Sequence, residues 1–332
     1  MKKYVKAALC VLLLLAVACV AVYQLAMDPY RGTISTVEPS LSADTCLSAD
    51  QIRQDLKKAH RLVRTRHPAW LLEEALAAET DAAFKAALET AEAMTVAELQ
   101  EVLASCLAVL DDSHTSVVAQ SGETAVQTAN TNFLELKLDP EHNVGIFALR
   151  SCTVNEVYAA ALDSFFTGLR REGIENLVLD LRGNGGGNSY VAYLFLEYLD
   201  VPQFRVTAPD IRYGWYLKRG GAVVQYNNRR TDAYSGTVYV ITDRYTYSSA
   251  VNFAELLADN EIAIHVGEAP NALPDSYGDL LCFRLPNSGL QLNVSHKRFY
   301  RIDQTQSGQP LEPDYPSADP LATVYELIKM ER

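Results

Sequence analysis

The sequence is short of positive charge. Its 332 residues contain 29 Lys and Arg against 41 Asp and Glu, which gives a formal net charge of -12. Lys2, Lys3 and Lys6 precede the first acidic residue, so the remainder of the chain is more acidic still. Phosphate backbones bind surfaces of opposite sign, and this balance therefore excludes nucleic acid as an expected partner.

Cysteine is scarce and scattered. The six cysteines are Cys10, Cys19, Cys46, Cys106, Cys152 and Cys282, and none of them stands in a C-x-x-C spacing. This pattern disfavours zinc, so we expect no metal site and no cofactor. The four cysteines beyond the N-terminal apolar stretch allow three disulfide pairings, and buried free thiols are the alternative.

Charged residues are missing altogether between Ala7 and Ala26. This stretch is rich in Leu, Val and Ala and follows three lysines, as is typical of an export signal or a membrane anchor. At about 1.5 Å per residue its helix matches the roughly 30 Å hydrocarbon core. The sequence predicts a signal anchor or transmembrane helix over 1–27, with the catalytic part outside the cytoplasm; a cleaved, secreted form is the alternative.

The remaining chain divides by pattern into three parts. Residues 28–47 are polar and predict a linker. Residues 48–110 predict a helical cap subdomain, with capping boxes at Ser48 with Gln51 and at Thr95 with Glu98, and with one helix over 71–93. Residues 111–332 alternate short strands with helices, including a helix opened by Thr153, and predict a catalytic domain.

That alternation indicates the fold class. We expect an α+β fold in which a mixed or parallel sheet is covered by helices, preceded by the helical subdomain. The active edge should lie at the carboxyl ends of the strands.

A glycine-rich loop follows a predicted buried strand. Between Asp180 and Asn188, four of five consecutive positions from 183 to 187 are glycine. Glycine lets the main chain approach a ligand and aim N–H groups at a developing negative charge. A nucleotide-binding loop fits poorly: Asn188 stands where a dinucleotide loop needs Gly or Ala, and the Gly-Lys-Ser/Thr of a phosphate loop is missing. A tight structural turn is the simpler alternative.

A serine stands at a predicted junction between strand and helix. Thr246, Tyr247, Ser248, Ser249 and Ala250 lie between an apolar strand and an apolar helix. Such a junction exposes the hydroxyl while the following N–H groups point to the same place, which suits a nucleophile. A plain helix N-cap is the alternative.

A histidine at another junction provides a candidate general base. His114 lies in the segment from Asp111 to Thr115, where the helical part meets the first strand. It is able to accept the serine proton, with Ser113 or a carboxylate fixing its tautomer. The other five histidines lack a comparable setting, although a solvated loop histidine remains the alternative.

Together these segments resemble the tail-specific protease superfamily, in its branch of the tricorn core and the retinoid-binding protein repeats. The resemblance covers roughly residues 100 to 330. The matching segments are Asp112 to Thr115, Leu179 to Gly187, Thr246 to Phe253, Gly267 with Glu268, Tyr277 to Asp279, Leu285 to Gly289, and Leu311 to Asp314.

The resemblance implies roles for these residues. Ser248 is then the nucleophile, His114 the base and Ser113 its orienting partner, on a crotonase-like ββα core without a PDZ domain. The oxyanion hole would be formed by the N–H groups of Ser249 and of Gly186 or Gly187. Asp303 and Glu312 are the candidates for an acidic partner.

The sequence also departs from the family pattern. Ala269 to Ala272 replace the usual Thr-Gly-Gly after Gly-Glu, and no lysine occurs from Ile264 to Asp279, so a His-based mechanism is implied. The resemblance therefore predicts an exported, membrane-anchored serine endopeptidase acting on polypeptides. The alternative is a weak or inactive member that binds peptides or lipids.

Overall fold

The computed structural model describes residues 2–36, 38–120 and 133–330. Its α-helices are α1 (Lys2–Val22), α2 (Ala49–Arg66), α3 (Ala69–Leu72), α4 (Glu74–Glu89), α5 (Val96–Ala108), α6 (Glu156–Glu172), α7 (Tyr190–Leu196), α8 (Ser249–Ala258) and α9 (Pro320–Met330). Its strands are β1 (Cys46–Leu47), β2 (Met94–Thr95), β3 (Ser116–Val118), β4 (Leu134–Asp139), β5 (Val144–Leu149), β6 (Asn176–Asp180), β7 (Gln203–Ala208), β8 (Asp210–Tyr213), β9 (Tyr216–Lys218), β10 (Gly221–Tyr226), β11 (Thr237–Thr242), β12 (Ile264–Gly267), β13 (Ser276–Arg284), β14 (Gln291–Phe299) and β15 (Tyr315–Pro316).

Two compact units make up the chain. The first consists of the described residues up to 120 together with 209–220 and 277–298, and the second of residues 133–208, 221–276 and 299–330. The predicted helical cap, 48–110, lies within the first unit. That unit also contains β3, β8, β9 and most of the hairpin β13–β14.

In the first unit, helices pack on an antiparallel sheet. Strands β13, β14, β8 and β9 are neighbours in that order, and β3 pairs with β14. The apolar faces of α2, α4 and α5 share one core with this sheet, in which Leu56, Phe84, Leu103, Phe283 and Leu292 are fully or almost fully buried. The predicted capping boxes at Ser48 and Thr95 are both confirmed.

The second unit is built on a mixed six-stranded sheet in the order β15-β12-β11-β6-β5-β4. All neighbours are parallel except β4, which runs antiparallel to β5. Successive side chains alternate between two cores: Leu177 and Leu179 of β6 face one, and Val178 faces the other. The predicted α+β class with a helix-covered mixed sheet is confirmed.

Two predicted helix boundaries were wrong. The stretch 71–93 is not one helix, because Glu73 leaves helical geometry (φ -136°, ψ 80°) and separates α3 from α4. Helix α6 is opened by Asn155, whose side chain accepts the N–H of Tyr158, and not by Thr153. The second difference depends on which polar side chain captures a free N–H group at the first turn.

Two further features bear on the sequence predictions. None of the helices in the described part of the chain has the length and apolar character needed to cross a bilayer. Cys19, Cys46, Cys106, Cys152 and Cys282 are free thiols.

Candidate active site

The glycine loop and the serine segment meet at one edge of the mixed sheet. Strands β6 and β11 are parallel neighbours, with Asp180 beside Ile241 at their carboxyl ends. The loop follows β6 directly, and the turn to Ser248 follows β11. Because parallel strands end at the same edge, the fold of the second unit brings these two distant segments together.

Ser248 has an unusual backbone conformation. Its φ of 53° and ψ of -126° lie in a region that residues with a side chain rarely adopt. Such a conformation costs of order 1–3 kcal/mol and persists only where the surroundings enforce it. Ser248 directly precedes α8, so a sharp turn presents its hydroxyl at the helix N-terminus, as expected for a nucleophile.

A single carboxylate oxygen supports this turn. Oδ1 of Asp243 accepts the N–H groups of Gly183 (3.0 Å), Tyr245 (3.0 Å) and Thr246 (2.9 Å). The first of these donors belongs to the glycine loop and the other two to the serine turn. Asp243 therefore joins the two segments and helps to enforce the conformation of Ser248.

The glycine loop lies directly against the serine. Gly186 has a φ of +92°, and a Cβ at this position would lie 2.8 Å from Cβ of Ser248 and 2.8 Å from the carbonyl oxygen of Tyr247. Real Cβ atoms essentially never come this close to another heavy atom. Only glycine allows the loop to approach Ser248 so closely.

Two main-chain N–H groups beside the serine lack acceptors among the described residues. The Gly186 N–H donates to Oδ1 of Asn184 at 2.9 Å, so that group is already used. The N–H groups of Gly187 and Ser249 donate no hydrogen bond within residues 133–330. Of the two glycines predicted for an oxyanion hole, the hydrogen bonding favours Gly187.

The second serine of the segment is engaged elsewhere. Oγ of Ser249 donates to the carbonyl oxygen of Gly187 at 2.8 Å, and the residue is almost buried. Ser249 thus fixes the loop, which favours Ser248 as the residue with a chemical role.

Asp180, at the start of the loop, has a supporting role. It is bound by Arg182 (Nε at 3.0 Å) and by Arg150 (3.0 Å). Burial alone would raise the pKa of Asp180, but the hydrogen bonds from Arg182 and Arg150 outweigh burial and lower it. A carboxylate held by two guanidinium groups stabilises the loop as a fixed charge.

In the first unit, His114 lies beside a buried carboxylate. The Nδ1 atom of His114 is 3.6 Å from Oδ1 of Asp112, and the same oxygen accepts the main-chain N–H of His114 at 3.0 Å. The other oxygen accepts the hydroxyl of Ser295 (2.7 Å) and the N–H of Thr115 (3.1 Å). Burial would raise the pKa of Asp112, but its interactions with His114 and His67 hold that pKa far below its usual value.

His67 contacts the second carboxylate oxygen of Asp112, Oδ2. It is fully buried, and burial lowers its pKa, which favours the neutral ring. The Ala69 N–H donates to Nδ1 at 3.2 Å, which leaves the proton on Nε2, 3.2 Å from Oδ2 of Asp112. The ring of Tyr277 covers His67 with a centroid separation of 4.3 Å.

The other predicted site residues have different settings. Ser113 is exposed. Asp303 caps a short 3-10 helix through the Thr305 N–H at 3.0 Å. The Glu312 side chain is exposed, while its carbonyl oxygen lies 3.3 Å from Nδ1 of His265.

Sequence reasoning assigned no role to Asp112 and His67. Asp112 was part of the quoted motif, and its position two residues before the histidine was an available signal. His67 lies 45 positions away from Asp112, and no local pattern indicates their contact.

Comparisons with known proteins agree with this architecture. The family model "Peptidase family S41" matches residues 143–317, more than half of the chain. No protein of curated function matches the sequence.

Solved structures share the fold. A protein from Parabacteroides merdae described as a peptidase is 16% identical, with a TM-score of 0.64 over 85% of this chain and 97% of that one. Mature CPAF is 11% identical, with a TM-score of 0.62 over 85% and 96% of the two chains. The photosystem II D1 C-terminal processing protease is 16% identical, with a TM-score of 0.54 over 83% and 97%.

Fold and family together define a serine-type peptidase. The strained serine at the head of α8 and the glycine loop beside it agree with that class. The chain belongs to peptidase family S41. The resemblance to tail-specific proteases noted from the motifs is thereby confirmed.

Proposed function

We propose that the protein hydrolyses peptide bonds through an acyl-enzyme, with Ser248 as nucleophile and His114 as general base. Oγ of Ser248 attacks the carbonyl carbon while His114 takes its proton. The resulting oxyanion is stabilised by the N–H groups of Gly187 and Ser249. His114 then gives the proton to the leaving amine, and a water molecule, activated in the same way, releases the acid product and regenerates Ser248.

The observation that carries this proposal is the strained backbone of Ser248 next to two N–H groups without acceptors. A plain N-cap needs neither feature, because an N-cap serine adopts an ordinary extended backbone and bonds to the N–H groups of its own helix. Ser248 makes no side-chain cap hydrogen bond.

Asp112 is the orienting partner that we favour for His114. Its carboxylate is ionised, buried and directed at Nδ1, which leaves Nε2 for the serine proton. Ser113 and Glu312 are exposed, and Asp303 is engaged as a cap, so these three are weaker candidates.

Matched serine variants test the proposal. A fluorophosphonate probe should label the full-length protein, and labelling and hydrolysis of an unstructured peptide should be lost in Ser248→Ala. Ser249→Ala, the control one residue away, should keep labelling at a reduced rate. Loss of labelling in Ser249→Ala with retention in Ser248→Ala would move the nucleophile by one position. Labelling of both variants would refute the serine mechanism. Failure of the probe to label the parent protein and both variants would also refute it.

We propose further that residues 7–26 hold the enzyme at a membrane, with the catalytic part outside the cytoplasm. The support is the uncharged sequence after three lysines and the exposure of its apolar side chains, with Leu12 to Leu15 between 57% and 69% exposed. Fractionation of cells expressing the full chain should find it with membranes, accessible to protease from outside. A soluble mature form beginning near Cys19 or Met27 would refute the attachment.

A further inference from the structure

The exposed charges in the second half of α2, from residue 57 to residue 66, are all positive. Lys57, Arg61 and Arg64 follow one another at helical spacing and are all exposed, on the side opposite the buried residues Leu56 and Ala59. Lys58 and Arg66 flank them and are partly exposed. We call these five residues the cationic face. It is an exception in a chain with a net charge of -12.

The cationic face has little internal compensation. None of its five side chains forms an ion pair with the residues that the structure describes. After burial, the neighbouring charges of Arg61 and Arg66 are what lower the pKa of Lys58. Burial lowers the pKa of Arg66, and the negative charge of Asp28 partly opposes this effect. Like charges at this spacing destabilise an isolated helix. Another interaction is therefore expected to offset the repulsion among these side chains.

The helix dipole explains only part of the pattern. Cations in the last turn of a helix are favourable, and Arg64 and Arg66 lie there. Lys57 and Arg61 lie further back, where the effect of the dipole has faded. An external anionic partner accounts for the whole row.

The cationic face lies close to the apolar N-terminal helix in the chain. The segment that follows α1 is bound beside it: Nε of Arg66 donates to the carbonyl oxygen of Pro29 at 3.0 Å. Gly214 packs so tightly on Ala26 that a Cβ would overlap its carbonyl oxygen. The apolar α1 and the cationic face are therefore linked by a short piece of chain that is fixed to the first unit.

We propose that the cationic face binds the phosphates of an anionic lipid surface, next to the point where α1 associates with the membrane. A positive surface beside an apolar segment combines the two attractions that a bilayer of anionic lipids offers, and it acts within a Debye length of about 8–10 Å. The inference rests on the proposed membrane association of residues 7–26.

Vesicle binding tests the proposal on the full-length protein. The test variant is Lys57→Gln, Arg61→Gln, Arg64→Gln; the control, which removes three exposed cations elsewhere, is Lys85→Gln, Arg171→Gln, Lys329→Gln. Parent and control should bind vesicles containing phosphatidylglycerol more tightly than pure phosphatidylcholine at low salt. The test variant should lose this preference, by roughly fivefold per cation and about a hundredfold in all. High salt should abolish it in every protein.

The outcomes separate this proposal from the others. Equal loss in the control variant, or no preference in the parent protein, would overturn it. Competition by inorganic phosphate or by polyglutamate as effective as that by anionic vesicles would also overturn it, and would make the cationic face a site for free phosphate or for acidic peptides. Failure to bind phosphatidylcholine would count against the apolar segment alone. Hydrolysis of a soluble peptide should be unchanged in both variants, since neither contains a residue of the active site.

Discussion

Nδ1 of His114 lies 3.6 Å from Oδ1 of Asp112, on a carboxylate whose other oxygen faces the buried ring of His67. The distance is longer than a hydrogen bond, as is common for catalytic groups before substrate binds. Three side chains thus stand in a row within one unit, with the ionised carboxylate in the middle. In the proposed mechanism, the contact of Nδ1 with Asp112 leaves Nε2 of His114 to take the serine proton.

Replacing Asp112 by Asn should therefore lower kcat and leave KM nearly unchanged. The amide keeps the shape but removes the charge that orients His114 and stabilises its protonated form, a loss of about 10²–10⁴-fold in kcat. Steady-state hydrolysis of a fluorogenic peptide measures it, with circular dichroism to show that the variant is folded. A loss below about tenfold would remove Asp112 from this role.

His67 can be tested with two substitutions of opposite character. His67→Gln keeps a donor able to reach Asp112, whereas His67→Phe keeps only the ring shape. The Phe variant leaves a buried carboxylate and the Ala69 N–H without partners, which should reduce the free energy of unfolding by about 2–4 kcal/mol. Urea denaturation of both variants checks this, and equal stability of the two would contradict it.

Ser248→Gly should be more stable than Ser248→Ala, although both should be inactive. The positive φ strains alanine as it strains serine, whereas glycine adopts it freely. After allowing for the larger entropy of unfolded glycine, we expect a difference of about 1–2 kcal/mol in favour of Gly. Comparison of the two melting temperatures is the measurement. An advantage for Ala would show that the backbone at Ser248 is unstrained.

Two neighbouring glycines provide a matched pair. Gly186→Ala places a methyl group against Ser248, whereas a Cβ at Gly185 meets nothing within 4 Å. We expect Gly186→Ala to lose fluorophosphonate labelling by at least about a hundredfold, since displacement of the nucleophile or its donors has this effect. Gly185→Ala should label at nearly the normal rate. Similar rates for both variants would mean that the loop does not position the serine.

Glu255 should make stability depend on pH. It is buried in α8, and burial raises the pKa of its carboxyl to about 8. Because the pKa in the unfolded chain is about 4.3, the unfolded state ionises first, so stability is full below that value and declines as pH rises towards 8. The slope should reach about 1.4 kcal/mol per pH unit. Glu255→Gln should flatten it in denaturation experiments between pH 5 and 8, and an unchanged slope would assign it to other groups.

The sequence was informative where the signal is local. The capping boxes at Ser48 and Thr95, the glycine loop and the serine turn are all read from a few consecutive residues, because each reflects backbone geometry that only certain residues permit. The alternation of apolar strands and helices likewise sufficed for the mixed sheet.

Features that depend on tertiary contacts were missed. The contact of His67 with Asp112 joins α2's end to the loop before β3, and no spacing indicates it. Strands β7 and β10 form a separate two-stranded sheet, and every residue of β10 is exposed. A strand without a buried face has no alternation of apolar and polar residues, so the period-2 signal of a half-buried strand is missing from its sequence.

Oδ1 of Asp243 limits how the glycine loop and the serine turn can move relative to each other. Since this one oxygen holds Gly183 on one side and Thr246 on the other, the serine turn and the loop that carries Gly187 are pinned at a common point. If Ser248 and Gly187 have the proposed roles, the nucleophile and an N–H group that binds its oxyanion are therefore tied to the same carboxylate.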